Sequence, residues 1–312
     1  MNNDCGWKIS AVCVAAMAAV AIAAPRAIAQ TAGQQTFKTP QAAAAALFEA
    51  AKNRDKAAAI KVLGANSEDL FNTGDPEVDA RQHQLFVDKY QQMHRLAQAG
   101  TRTDILYVGA ENWPLPIPIR KGKKGWYFDS QGARQEILAR RIGANELSAI
   151  DVCQAIVQAQ NEYKSQTHGG DTVHQYAQRL ASTDGKQDGL YWKADGGQPK
   201  SPLGPRIALA SYMGGESAAA HSVPYHGYYY RILTAQGKNA PGGAMSYLDS
   251  GKLTRGFALV AYPARYRISG VTTFMVNQDG IVYQKDLGPE TEKIATTMQD
   301  YNPDATWVAA NK

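Results

Sequence analysis

Asn145-Glu146-Leu147-Ser148-Ala149-Ile150-Asp151-Val152-Cys153-Gln154-Ala155-Ile156-Val157-Gln158-Ala159-Gln160-Asn161-Glu162-Tyr163 is the stretch from which the fold can be read. Ala149, Val152, Ile156, Ala159 and Tyr163 recur at three- and four-residue spacing, with Ile150, Cys153 and Val157 beside them. From Arg134 to about Lys164 there is no proline, and Gly143 is the only glycine. An apolar stripe this wide predicts a long helix buried against a sheet.

The partner sheet is predicted downstream. Gly227-Tyr228-Tyr229-Tyr230-Arg231-Ile232-Leu233, Gly256-Phe257-Ala258-Leu259-Val260-Ala261-Tyr262 and Val271-Thr272-Thr273-Phe274-Met275-Val276 are rich in aromatic and β-branched residues. The last turns at Asn277-Gln278-Asp279-Gly280 into Ile281-Val282-Tyr283-Gln284, a hairpin pattern with glycine where positive φ is needed. We read these as an antiparallel meander. Between helix and meander, pairs such as Gly169-Gly170, Asp184-Gly185 and Asp188-Gly189 mark a long, turn-rich crossing.

Upstream, Thr39-Pro40 opens a helix over Ala42 to Ala51, and a second follows from Lys56 to Leu63 before Gly64. After Gly74-Asp75-Pro76, the spacing of Leu85, Phe86, Tyr90, Met93 and Leu96 predicts one helix running to Gly100 and carrying His83 and His94. Asp104 to Val108 and Trp126-Tyr127-Phe128 read as strands. Trp113-Pro114-Leu115-Pro116-Ile117-Pro118-Ile119 reads as an extended run whose prolines exclude a central strand. The fold class is α+β in two parts: residues 30–133 with helices and a short sheet, and residues 134–312 with a helix on an antiparallel sheet.

Residues 1–29 read as a signal peptide. Lys8 precedes an alanine-rich apolar run from Ile9 to Ala24, and Pro25-Arg26-Ala27-Ile28-Ala29 supplies the small-x-small pattern for cleavage after Ala29. The run is shorter than the roughly 20 residues that span a bilayer, and nothing later is apolar for long enough. The expected location is therefore periplasmic or secreted, with no membrane span after cleavage. Cleavage leaves 31 basic against 27 acidic residues and Cys153 as the only cysteine, so no internal disulfide can form. Hydrophobic residues at 44% and charged residues at 20% exclude a disordered chain. Basic residues never run five in a row, which argues against nucleic acid.

The residues that invite chemistry cluster around His226. It lies near Tyr228, Arg231 and Lys238, ahead of a Gln236-Gly237-Lys238-Asn239-Ala240-Pro241-Gly242-Gly243 loop. Histidine is a natural acid or base at neutral pH, yet the loop fits neither the phosphate-loop nor the dinucleotide pattern. His168, His174 and His221, like Asp184, Asp188 and Asp195, fall in turn or polar segments, so no metal and no cofactor is expected. Alternation places Tyr228 and Tyr230 on one sheet face and Tyr229 and Arg231 on the other, and Tyr and Arg favour interfaces. The candidate binding residues are Trp192, His226, Tyr229, Arg231 and Lys238.

Several of these stretches carry a resemblance. Asn145 to Ile150, Asp188-Gly189-Leu190-Tyr191-Trp192, Tyr225 to Gly237, Gly256 to Pro263 and Asp286-Leu287-Gly288-Pro289, together with Trp113 to Ile119, closely resemble the bacterial family called domain of unknown function 2950. The likeness covers nearly the whole chain after the leader. It implies an exported envelope protein and assigns no reaction. The carboxy-terminal half is also similar to the globular heads of type IV pilins and pseudopilins. That likeness implies a helix packed on an antiparallel sheet, without the prepilin leader or the spine that polymerises pilins. The residues favour a structural or protein-interaction role with an envelope partner. The alternative is a periplasmic enzyme acting on envelope material with His226 as acid or base. Oligomeric state is left open.

Overall fold

The structure, a computed structural model, describes residues 31–72, 76–194, 200–210 and 223–310. The leader read at residues 1–29 lies outside them, as do His221 and Asp195.

The chain enters through helix α1 (Pro40–Lys52), whose N-cap Thr39 accepts the amide of Ala42 at 3.1 Å, and α2 (Lys56–Leu63), capped in the same way by Asp55. Short α3 (Glu68–Phe71) and longer α4 (Pro76–Gln92) follow. A first sheet then forms from β1 (His94–Gln98), β2 (Thr103–Val108), β3 (Trp113–Pro114), β4 (Ile119–Lys121) and β5 (Trp126–Phe128). Its order is β1-β2-β4-β5, with β3 also on β2. Ala43, Leu47, Val62, Tyr90, Leu106, Val108, Ile119 and Phe128 pack between these helices and the sheet. The proline run behaves as its chemistry requires: only its ends pair, Trp113–Pro114 as β3 and Ile119 as the first residue of β4.

One sequence expectation fails here. The helix expected to run to Gly100 stops at Gln92, and residues 94–98 pair antiparallel with β2, Leu96 opposite Leu106. The spacing of Met93 and Leu96 fits a helix face, but pairing with β2 is a non-local gain that local periodicity cannot report. The Gly109 amide takes the Lys89 and Met93 carbonyls at the helix end. His94 therefore lies beyond the helix, its ring stacked on Tyr90 with centroids 3.9 Å apart. Its Nδ1 is 2.9 Å from the Tyr90 carbonyl oxygen.

Helix α5 (Ser130–Lys164) is 35 residues long, with Asp129 capping it through the amide of Gly132 at 2.9 Å. At 1.5 Å per residue it spans about 50 Å. The division expected at 133/134 lies inside its first turns. Ala133 belongs to the first buried cluster, and residues from Ala149 onward belong to a second. Fully buried Gln160 treats the crossing segment as a strand, donating to the Ala177 carbonyl and accepting the Ala177 amide.

After short α6 (Pro205–Leu209), the second sheet begins with β6 (Tyr228–Leu233). Small pieces follow: β7 (Ala235–Gln236), β8 (Met245–Ser246), β9 (Leu248–Asp249) and β10 (Lys252–Leu253). The sheet resumes with β11 (Ala258–Pro263), β12 (Thr272–Asn277) and β13 (Tyr283–Asp286). Helix α7 (Thr291–Thr297), β14 (Asp300–Tyr301) and β15 (Val308–Ala309) close the described chain. The order β15-β13-β12-β11-β6 is antiparallel throughout, so the predicted meander forms and the fold is α+β. All six residues of β11 are buried, which requires cover on both faces. Helix α5 supplies one cover, against β11 and β12, and α7 supplies the other, against β11.

Candidate functional site

Alternation along β6 sends Tyr228 and Tyr230 toward α5, where both are fully buried. The Tyr228 hydroxyl donates to the Thr272 carbonyl at 2.9 Å. Burial pushes both phenols well above their ordinary range. Cys153 of α5 lies at this interface, and burial pushes its thiol up to about 12 from 9.0. A thiol so protonated is no nucleophile. Folded protein at pH 8 is expected to resist alkylation at Cys153, with labelling appearing only in denaturant; rapid labelling of the native state would contradict this burial. Because the folded pKa is raised, the stabilisation from keeping the thiol neutral is complete below about pH 9. It is lost as pH rises toward 12.

The opposite face, a candidate recognition surface through Tyr229 and Arg231, is partly covered, and both residues are half-buried. The Arg231 Nη2 donates to the Ala295 carbonyl at 2.7 Å and also to the Met298 carbonyl, at the end of α7. A guanidinium at the carboxy-terminal end of a helix satisfies carbonyls that have no partner within it. Desolvation lowers the Arg231 pKa, against an opposing contribution from Tyr262. Tyr229 packs on Tyr262, ring centroids 5.8 Å apart. Arg231→Met is expected to lower the unfolding free energy by about 2 kcal/mol, the loss of charge-assisted hydrogen bonds. Urea denaturation measures it, and an unchanged midpoint would remove Arg231 from the anchoring of α7.

His226 does not open a strand. Tyr225 and Tyr228 exchange amide-to-carbonyl bonds of 2.9 and 3.2 Å across His226 and Gly227, whose φ angles are +51° and +73°. Two successive positive φ values are the mark of the tight turn that suits strand twist. The turn abuts α5: a Cβ on Gly227 would lie 2.6 Å from the Asn145 Nδ2 and 2.8 Å from the Ser269 Cβ. Asn145 donates to the Ser269 carbonyl at 2.8 Å, and Glu146 accepts the amides of Val271 and Thr272 at 2.9 and 3.0 Å. The Asn-Glu pair thus fastens the long helix to the turn that leads into β12.

The loop after β6 is engaged by its own neighbours. The Gly237 amide donates to Tyr301, the Asn239 amide to the Asn302 side chain, and the Ala240 and Gly243 amides to carbonyls within the loop. Buried Gln236 donates to Pro241 and Gly243 and accepts the Tyr247 hydroxyl. Those amides cannot also cradle an anion, and Lys238 projects from the loop exposed. Trp192 is buried beside His168, which stacks on Tyr163 with centroids 3.8 Å apart. The five candidates lie in separate settings: a helix-end aromatic stack, a turn, the α7 contact and an exposed loop.

What the structure does bring together is a set of arginines that sequence reasoning missed. Arg134 of α5 pairs with Asp69 of α3 and donates to the Asn66 carbonyl. Two helical turns on, Arg141 donates to the Asp69 and Leu70 carbonyls at 2.6 and 2.7 Å. Burial lowers the Arg141 pKa, partly offset by Asp79 and Asp69. The turn between β11 and β12 contributes exposed Arg265, near enough to act electrostatically on both Glu68 and Arg141. An open cleft of about 420 Å³ results, lined by Ala65, Asn66, Glu68, Asp69, Asn72, Arg134 and Arg265. The Glu68 carboxyl is held below the usual range by Lys56, 2.5 Å away, and by Asn72. Guanidinium groups thus face carboxylates and amides across one cleft, an arrangement suited to holding a polar, mixed-charge segment. The seven-residue interval between Arg134 and Arg141, two helical turns, was the one signal available beforehand.

Among the described residues no group of three His, Cys, Asp or Glu side chains is placed to hold a metal ion, and no helix is long and apolar enough to cross a membrane. No curated protein and no solved structure matches the chain. One family does match, described as protein of unknown function DUF2950, and it spans residues 34–310, from the approach to α1 to the end of β15. With both buried clusters and the Arg134–Arg265 cleft inside the matched span, the chain belongs to the DUF2950 family.

Proposed function

We propose that the chain is an exported protein of the bacterial envelope, periplasmic or secreted, that works by binding a partner rather than by transforming a substrate. The leader reading at residues 1–29 supports export. The observation that carries the binding role is the cleft at which Arg134 and Arg265 meet from the two parts of the fold. Its guanidinium, carboxylate and amide groups complement an extended peptide segment, with backbone amides and carbonyls as well as charged side chains to satisfy. The residues of the cleft include no paired nucleophile and base. Residues 30–133 and 134–312 act as two packed parts in this proposal, with α5 shared between them. The pilin-like reading enters as architecture, a helix on a meander, and not as assembly into a fibre; concentration-dependent oligomers in sedimentation experiments would contradict that restriction.

The test is capture from cross-linked envelopes with the wild-type chain and an Arg265→Glu variant. Arg265 is exposed and its side chain makes no hydrogen bond or ion pair among the described residues, so the variant is expected to fold normally and to lose the specific partner. A partner retained at full yield by the variant would remove the cleft from the binding role.

A further inference from the structure

The far end of the amino-terminal sheet gathers charge that the linear sequence disperses. Residues 31–48, 99–103 and 115–128 hold six cations and no carboxylate. Pairing brings them together. Thr103 sits opposite Arg120 and Lys121 opposite Trp126. The Lys121 amide donates to the Arg102 carbonyl at 3.0 Å, and the Arg102 Nε returns a bond to the Lys121 carbonyl at 3.1 Å. Phe37 continues the sheet by exchanging two 2.8 Å bonds with Trp126, so Lys38 follows directly beyond β5. The hairpin tip, closed by the Gly122 amide on the Gly125 carbonyl, adds Lys123 and Lys124.

Arg120 is neutralised by buried Asp129, 2.9 Å away. The other five, Lys38, Arg102, Lys121, Lys123 and Lys124, are exposed and form no ion pair among the described residues. They sit on successive elements: the β1–β2 turn, β4, the hairpin tip and the Phe37 segment. With about 4.8 Å between neighbouring strands, they fan across roughly 14 Å. Charges spread in a row do not converge on one small anion; they match an array of anionic groups on a surface. Thr31 to Thr36 and Lys124 line an open cleft beside the tip.

We propose that this basic end is a docking surface for a bilayer rich in anionic phospholipid headgroups. No apolar side chain occupies the tip Gly122-Lys123-Lys124-Gly125, so the association is peripheral and electrostatic, and salt screens it. The proposal does not depend on the Arg134–Arg265 cleft.

The experiment is flotation of the chain from Gln30 onward with vesicles of equal parts phosphatidylglycerol and phosphatidylcholine, and with vesicles of phosphatidylcholine alone. Binding is expected to the anionic vesicles only, and to fall steeply as salt is raised. The triple variant Lys121→Glu, Lys123→Glu, Lys124→Glu should bind at least about tenfold more weakly. A matched reversal at Lys186, Lys193 and Lys293, exposed elsewhere, should bind much more tightly than that variant. The neutralising pair Lys123→Gln, Lys124→Gln should give an intermediate loss and guards against misfolding of the triple variant. Equal loss in the matched control, equal binding to both vesicle types, or binding to soluble polyphosphate without binding to vesicles would each overturn the proposal.

Discussion

Glu146→Ala is expected to lower the unfolding free energy by about 3 kcal/mol, the cost of leaving two partly buried amides without an acceptor. The Glu146 carboxylate is half-buried in the middle of α5, and one of its oxygens accepts both Val271 and Thr272. Those amides open β12, and the Thr272 carbonyl in turn accepts the Tyr228 hydroxyl. Loss of the carboxylate therefore reaches β6 as well as β12. Glu146→Gln keeps a carbonyl oxygen in place and should cost less than half as much. Urea denaturation of the three proteins measures this, and a midpoint for Glu146→Ala within error of wild type would show that the Asn-Glu pair does not fasten helix to sheet.

The second large effect is expected at the neighbouring turn. Gly227→Ala places a Cβ against Asn145 and Ser269, and Ser269 is fully buried and cannot withdraw. Overpacking adds to the strain of an L-residue at φ +73°, for a total of about 3 kcal/mol. His226 shares the turn at φ +51° but makes a different prediction. Asparagine tolerates positive φ and is the preferred residue before glycine in such turns, so His226→Asn should leave the thermal midpoint unchanged or raise it. His226→Val should lower stability by about 1 to 2 kcal/mol. If Asn and Val proved equally harmful, the histidine ring itself would matter and the turn account would fail.

Much of the architecture was legible from residue pattern. The α5 stripe was readable because its helical period persists from Ala149 to Tyr163, and the strands of the second sheet because each is a short run rich in aromatic and β-branched residues bounded by turn residues. Strand β1 was not, since the three-residue spacing of Met93 and Leu96 reads as a helix face and only pairing with β2 overrides it. Helix α7 was missed because Thr291-Glu292-Lys293-Ile294-Ala295-Thr296-Thr297 is short and has no side-chain cap at its start. With α7 unseen, the Tyr229 and Arg231 face stood as a candidate recognition surface. The site was the least legible part. Asp69, Arg134 and Arg265 are far apart in the chain, and only the docking of α3 and of the β11–β12 turn on α5 brings them to one cleft. The basic end of the first sheet was hidden for a similar reason: Arg102 joins Lys121 through strand register, not through a run of charge.

The binding role at the Arg134–Arg265 cleft is tested most directly by placing a photoreactive side chain at Asn72, on the cleft, and another at exposed Lys186 as a control, then irradiating living cells. One discrete adduct from position 72, absent from position 186 and lost when Arg265→Glu is added, is the result expected here. Identical adducts from both positions, or an adduct at 72 that Arg265→Glu leaves untouched, would contradict the assignment of the cleft.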